Sequence, residues 1–394
     1  MKKYFFISLI IIAFSGFLIW FGRLQWENYV EIKASRARDQ EIDRIIREHH
    51  ERISANAAGD DLFQGKHSIN ILLIGLDQRA GQGPGHCDAI QMITIDRNKQ
   101  SVAITAVPRG TYSPLPPGTG KLPSDYYVSN SCALGGLDYG IAQIEKILGV
   151  KADYLVTVGF SEALGVLRNL KLPTTETLQW LRQRHVYAIG EPQRAHDHST
   201  FLKYLLLKYL PTKDSSGDKI LHYIIYETVH TDLTFEEAEA LVAELTKMDL
   251  VDHPDRVRLA MQPAFLVQDI PYVPEDLTKY LDKTLGNLDK ILTKDDYAAA
   301  TLEETQAKLL LVIDEKKTDV NFNNWAFENK IWLQIEDHDK RMATQYDLLV
   351  KYIDQLVSPE NKQSFVLDYI VEMENRNEDC WLEEGRKLLS AQMP

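Results

Sequence analysis

Residues 69–75, INILLIG, form an unbroken apolar run that ends on a glycine and continues directly into Leu-Asp-Gln-Arg. An apolar run of that length with no polar alternation fits a strand covered on both faces. Two further strands are expected over 89–96 and 101–107, joined by the turn-like Arg97-Asn98-Lys99-Gln100. A loop rich in proline and glycine covers 114–123, helical spacing follows over 137–148, and another strand is expected over 154–158. Strands alternating with helices predict an α/β domain, layered α-β-α around a central mixed sheet. An apolar stretch at 201–210 reads as a buried helix. Thr234 followed by Glu237 reads as a capping box opening a helix whose core stripe is Phe235, Ala238, Leu241, Val242 and Leu245.

Residues 4–21 carry no charge and are flanked by Lys2, Lys3 and Arg23. At the helical rise such a run matches a hydrocarbon core, and no small-x-small cleavage site closes it, so the expectation is a retained single-pass transmembrane helix. The basic start places the N-terminus inside and the remainder outside the cytoplasm, at the cell membrane. Residues 24–53 are charged with interspersed isoleucines and read as a helical stalk, and 56–65 read as a linker. Beyond Gln262 the chain becomes a series of amphipathic segments. Phe322, Trp325, Phe327, Trp332 and Trp381 in that part read as core aromatics rather than a groove.

Lys and Arg total 44 against 57 Asp and Glu, a formal charge of -13, which argues against a nucleic-acid partner. The three cysteines, Cys87, Cys132 and Cys380, cannot all pair within one chain. Their spacing indicates neither a zinc site nor a disulfide scaffold, and pairing of Cys87 with Cys132 stays open.

Five segments concentrate polar residues at the ends of apolar stretches: GLDQR with Asp77 and Arg79, GHCDAI with His86 and Asp88, VPRGTY with Arg109, LRQRH with Arg182 and Arg184, and GEPQRAHDHSTFL with Arg194, His196, Asp197 and His198. Two carboxylates, Asp77 and Asp88, suit a hard cation such as Mg²⁺ that retains water and touches phosphates. Arg109, Arg182, Arg184 and Arg194 suit a pyrophosphate, which planar guanidinium donors clamp well. Phosphoryl transfer relies on such positioning and charge neutralisation. Arg182 and Arg184 share a face only if their stretch is extended.

In their order and spacing these segments resemble the LytR-CpsA-Psr family over residues 68–261 or so. INILLIGLDQR resembles the family's strand and G-x-D-x-R segment. His86-Cys87-Asp88 stands where the family has Arg-Ser-Asp, and PRGTY stands where it has P-R-D-T-Y, with Gly110 in place of the acid. VSNSCALGG keeps Asn130 and the paired glycines. LRQR matches the R-x-R pair. In GEPQRAHDHSTFL, Arg194 takes the first arginine's place, Asp197 falls on the second, and His198-Ser199 fall on paired glutamines.

The resemblance implies an extracytoplasmic phosphotransferase that moves a glycopolymer phosphate from a polyprenyl-pyrophosphate carrier to an envelope acceptor. Catalytic roles then fall to Asp77, Asp88, Arg109 and Arg194. Substrate binding falls to Arg79, His86, Arg109, Asn130, Arg182, Arg184, Arg194 and His198, with metal at Asp77 and Asp88. The altered positions keep a second reading open, a non-catalytic lipid- or glycan-binding scaffold of the same fold. A third, a metal-dependent hydrolase built on His86, Asp88, His196 and His198, lacks a known zinc-ligand spacing. The expected organisation is an anchor over 1–23, stalk and linker over 24–67, the family-like domain over 68–262, and a mostly helical extension over 263–394 whose partner the sequence does not name.

Overall fold

The computed structural model describes residues 62–63, 65–77, 85–182, 190–211, 219–285, 302–328 and 330–391. Its centre is a six-stranded sheet of β1 (Ser68–Asp77), β2 (His86–Asp96), β3 (Ser101–Ala106), β4 (Tyr154–Val158), β5 (His230–Thr231) and β6 (Val257–Met261), in the order β5-β4-β1-β2-β3-β6. β1 pairs antiparallel with β2 and parallel with β4, while β3 pairs antiparallel with β2 and parallel with β6. The sheet is therefore mixed, as expected.

β1 and β2 carry buried residues on both faces, and helices cover both sides of the sheet. On one face Leu72, Ile74, Leu76, Ile90 and Met92 pack with Val128 and Cys132 of α1 (Val128–Gly135) and Ile141 and Ile144 of α2 (Leu137–Leu148). α2 stops at Gly149, whose left-handed φ of 71° lets its N–H reach the Glu145 carbonyl. Between β4 and β6 the chain forms α3 (Phe160–Asn169), α4 (Thr174–Arg182), α5 (Gly190–Tyr209), α6 (Lys219–Thr228) and α7 (Phe235–Lys247). On the other face of the sheet Ile69, Ile71, Ile95, Val102 and Ile104 meet Leu202 and Leu206 of α5 and Leu241 and Leu245 of α7. The capping box forms: Thr234 Oγ1 accepts from the Glu237 N–H, and the Glu237 carboxylate accepts from the Thr234 N–H at 2.8 Å.

Past β6 come α8 (Leu277–Leu285), α9 (Leu302–Lys316), α10 (Val320–Glu328), α11 (His338–Gln355), α12 (Pro359–Arg376) and α13 (Asp379–Ala391). Phe322, Trp325 and Trp332 are buried in one cluster with Ile331 and Leu348, and Trp381 packs on a second with Leu382, so the core reading of these aromatics holds. This part is joined to α3: Arg168 pairs with Glu336 at 3.0 Å, and Gln334 Nε2 donates to Ser161 Oγ at 2.6 Å.

Several expectations need correction. Among the described residues no helix is long and apolar enough to cross a membrane. The longest, α5, carries Glu191, Arg194, Asp197, Lys203 and Lys208. The run at 4–21 lies outside the described residues, so the transmembrane helix, and with it the single-pass extracytoplasmic placement at the cell membrane, does not belong to the described architecture. The stalk at 24–53 also lies outside the described residues. At the end of the expected linker, Phe63 is a core residue, edge-on to Tyr154 at 6.5 Å, and Lys66 pairs with Asp153 at 2.6 Å. The buried helix expected at 201–210 starts at Gly190, because the polar residues ahead of it are themselves buried.

Candidate functional site

The site forms where β2 begins, β3 ends and α5 begins. Ile90 and Cys87 both belong to the core cluster under α1 and α2, although three positions apart they should face opposite ways. A β-bulge reconciles them. Gly75 pairs with Ala89 and Leu76 with Cys87, which leaves Asp88 as the extra residue on β2. The bulge turns Asp88 away from the Cys87 side and toward α5. It also brings the two strands so close that a Cβ on Gly75 would sit 2.9 Å from that of Ala89.

Arg109 arrives from the neighbouring strand. The Val107 N–H extends the β2–β3 pairing to the Ile90 carbonyl, Pro108 ends it, and Thr111 N–H closes a turn onto the Pro108 carbonyl at 2.9 Å. That turn presents Arg109, whose Nη1 donates to Asp88 Oδ1. Arg194 comes from the first turns of α5. Its side chain is only 6% exposed, and a buried cation needs partners. It has them: Nη1 lies 3.6 Å from Asp88 Oδ2, Nη2 donates to the Asp88 carbonyl at 3.2 Å, and Nε lies 3.2 Å from Glu191 Oε2. Glu191 sits in the first turn of α5, where the helix dipole favours a carboxylate.

Gln91 fixes α5 over the sheet. Buried next to Ile90, its amide donates to the Ala195 carbonyl at 3.0 Å and accepts from Ser199 Oγ at 2.6 Å. Neither Gln91 nor Glu191 was singled out in the sequence. A lone glutamine inside an apolar strand was the available signal, since a buried amide requires partners.

His198 also lies beside this cluster. Its Nε2 is 2.8 Å from the Leu181 carbonyl, which can only accept, so Nε2 carries the proton. Burial, and then the positive charge of Arg194, push its pKa down to about 4, so the imidazole is neutral at pH 7. His196 points elsewhere on the helix, to Asp269 at 2.6 Å. Asp197 is buried and its Oδ1 accepts from Gln193 Nε2 at 2.9 Å, while Gln193 also donates to the Gln268 carbonyl.

Of the residues marked in the sequence, Asp88 contacts both Arg109 and Arg194. Asp77 ends β1 opposite His86, two positions from Asp88. Arg182 is the last residue of α4, helical rather than extended, and its neighbour Leu181 touches His198. Asn130 is turned to another task, donating to the Ser124 carbonyl at 2.7 Å. Arg79 and Arg184 lie outside the described residues. Among the described residues no group of three or more His, Cys, Asp or Glu side chains is set to hold a metal ion. Two carboxylates alone, Asp77 and Asp88, would supply only part of an Mg²⁺ shell, the other oxygens coming from water and substrate phosphates.

Chemically, the arrangement is a carboxylate held between two guanidinium groups at the rim of a sheet, one of them buried. Two guanidinium groups beside a carboxylate are the kind of arrangement that suits a phosphate or pyrophosphate.

The LytR_cpsA_psr family model matches residues 28–165. Over 153 residues the chain is 28% identical to the polyisoprenyl-teichoic acid–peptidoglycan teichoic acid transferase TagU of Bacillus cereus, covering 38% of this chain and 46% of that protein. It is 29% identical over 110 residues to the corresponding transferase TagT of Bacillus subtilis, covering 27% of this chain and 33% of that one. The chain thus spans less than half the length of these relatives. The crystal structure of Bacillus subtilis TagV superposes with a TM-score of 0.43 at 17% identity, over 57% of this chain and 98% of that one.

Proposed function

Since the chain, through residues 28–165, belongs to the LytR-CpsA-Psr family, we propose that it is a phosphotransferase moving a glycopolymer phosphate from a polyprenyl-pyrophosphate carrier to an envelope polymer acceptor. The observation that carries this reading is the Asp88 carboxylate facing both Arg109 and Arg194. An acceptor hydroxyl would attack the phosphorus that bears the glycopolymer. The new P–O bond forms as the P–O bond to the second phosphate breaks; the polyprenyl phosphate leaves with that electron pair, and the hydroxyl proton passes to water. Arg109 and Arg194 would neutralise the non-bridging oxygens through this exchange, where most of the catalytic demand lies. Before substrate arrives, Asp88 would offset the repulsion between the two cations and hold both toward one point.

Mg²⁺, held by Asp77 and Asp88, would add charge neutralisation on the same phosphate oxygens. His198 is neutral beside the arginines, and its Nε2 proton is committed to Leu181.

A second reading, lipid or glycan binding without turnover, is favoured by Gly110, which leaves the Arg109 turn without an acid. The hydrolase reading loses support, because His196 and His198 leave α5 toward different partners. The test is to mix the protein with a polyprenyl-pyrophosphate-linked glycan, Mg²⁺ and a peptidoglycan acceptor. Transfer that disappears in Asp88→Ala and Arg109→Ala is the expected result. Binding that both substitutions leave intact, with no transfer by the parent, would overturn the phosphotransferase. Binding that both abolish, again without transfer, would favour the scaffold.

A further inference from the structure

Asp88 and Arg109 reach each other from two segments that the sheet alone does not lock together: the bulged start of β2 and the turn after β3. A covalent bond lies next to this contact. Cys87, the residue before Asp88, is disulfide-bonded to Cys132 of α1, with their Cα atoms 5.9 Å apart. The first turn of α1 in turn grips the Arg109 turn. The Ser129 N–H donates to the Arg109 carbonyl at 3.1 Å, and the Val128 N–H donates to the Thr111 carbonyl at 2.8 Å. Both are helix-end donors that would otherwise lack an intrahelical partner.

These contacts close a ring. It runs from Asp88 to Cys87, across the disulfide to Cys132, back along α1 to Ser129, through its hydrogen bond to Arg109, and across the ion pair to Asp88 again. The helix that closes it has eight residues, VSNSCALG, too few to hold itself in water. Its tertiary anchors are therefore decisive. Ser131 is tied to Ser113 at 2.7 Å, and α2 passes so near that a side chain at Gly140 would overlap the Cys132 sulfur.

We infer that the Cys87–Cys132 disulfide is a positioning element of the anion site, holding α1 so that its first turn presents Arg109 to Asp88. The inference rests on the reading of that site as a pyrophosphate site. Its structural half can be tested without any ligand. Reduction takes two electrons and two protons from a dithiol, leaves two thiols, and turns the reagent into its own cyclic disulfide.

The experiment compares the protein oxidised, reduced by dithiothreitol, reoxidised, and as the Cys87→Ala/Cys132→Ala double variant. Two readouts are taken well below the melting temperature: amide hydrogen exchange at Val128 and Ser129, and affinity for inorganic pyrophosphate. Opening the disulfide should speed exchange at both amides and weaken pyrophosphate binding by about tenfold, the scale of one charge-assisted hydrogen bond. Reoxidation should restore both. The β1–β2 amides serve as the control for global unfolding, since their ladder does not pass through α1.

Unchanged exchange at Val128 and Ser129 would overturn the inference. So would faster exchange with undiminished pyrophosphate affinity, because the bond would then be merely structural. If no form of the protein binds pyrophosphate, yet exchange loosens on reduction, the pyrophosphate reading fails while the disulfide keeps its hold on the Arg109 turn.

Discussion

Arg194 meets Asp88 twice, Nη1 facing carboxylate Oδ2 at 3.6 Å and Nη2 donating to the backbone carbonyl at 3.2 Å. The second contact survives loss of the carboxylate, so the two partners can be separated by mutation. Asp88→Asn removes one negative charge and leaves both arginines in place. In the absence of divalent cations it should tighten inorganic pyrophosphate binding, while transfer falls. Arg194→Ala leaves Asp88 and Glu191 without their shared cation. It should weaken pyrophosphate about ten- to a hundredfold, the range of a lost charge-assisted hydrogen bond. Isothermal titration reads both, and effects of the same sign would contradict the arrangement.

The bulge makes a separate prediction about stability. Gly75 and Ala89 face each other with no room for a further Cβ. Gly75→Ala should therefore cost about 1–3 kcal/mol, as overpacking usually does. Ala89→Gly in the same chain should recover most of that loss, because it removes the atom in the way. Denaturant midpoints of the two single variants and the double variant measure the coupling. Additive losses would mean that the strands adjust elsewhere.

Much of this was legible in the sequence, for reasons that differ by residue. Asp88 and Arg109 end or begin apolar strands, and strand order alone brings such residues to one edge. The mixed α-β-α layering followed from the same alternation of apolar runs. Arg194 was legible as a residue but not as a buried one, because an apolar stretch at 201–210 concealed that the helix starts at Gly190. The burial of its polar first half depends on Gln91 and the loop carrying Gln268, which are distant in sequence. The bulge at Asp88 was not legible, since one extra residue in a strand leaves no mark in the apolar pattern. Asn130 matched a motif, yet its amide serves the Ser124 carbonyl. Arg182 and Arg184 share a face only in an extended stretch, and Arg182 ends a helix instead, because Thr177 and Trp180 give that stretch a buried helical face. The apolar run at 4–21 was the plainest signal in the chain, and it falls outside the described residues.

Gly110 separates the catalytic from the scaffold reading. It sits beside Arg109 in the turn closed by Thr111, and a Cβ there would meet nothing within 4 Å. An aspartate is therefore tolerated on steric grounds, and Gly110→Asp should leave the thermal midpoint within a few degrees of the parent. If the parent is an enzyme slowed by the missing acid, the variant should transfer glycopolymer faster with little change in substrate affinity. A variant that folds and binds as the parent does, yet shows no turnover, would point to the scaffold.

His198 gives the protein a predictable response to acid. Its folded-state pKa is depressed to about 4 by burial and by Arg194, against roughly 6.5 for an unperturbed histidine. Between those values the unfolded chain binds the proton and the folded chain does not, so stability rises with pH across that window. The contribution is fully present above about pH 6.5 and is lost as pH falls through about 4. His198→Gln keeps a donor for the Leu181 carbonyl and removes the titration. Urea unfolding between pH 4 and 7 should show a shallower loss of stability in the variant than in the parent. Parallel curves would mean that His198 takes up its proton equally in the folded and unfolded states, so that burial and Arg194 do not hold the folded imidazole neutral.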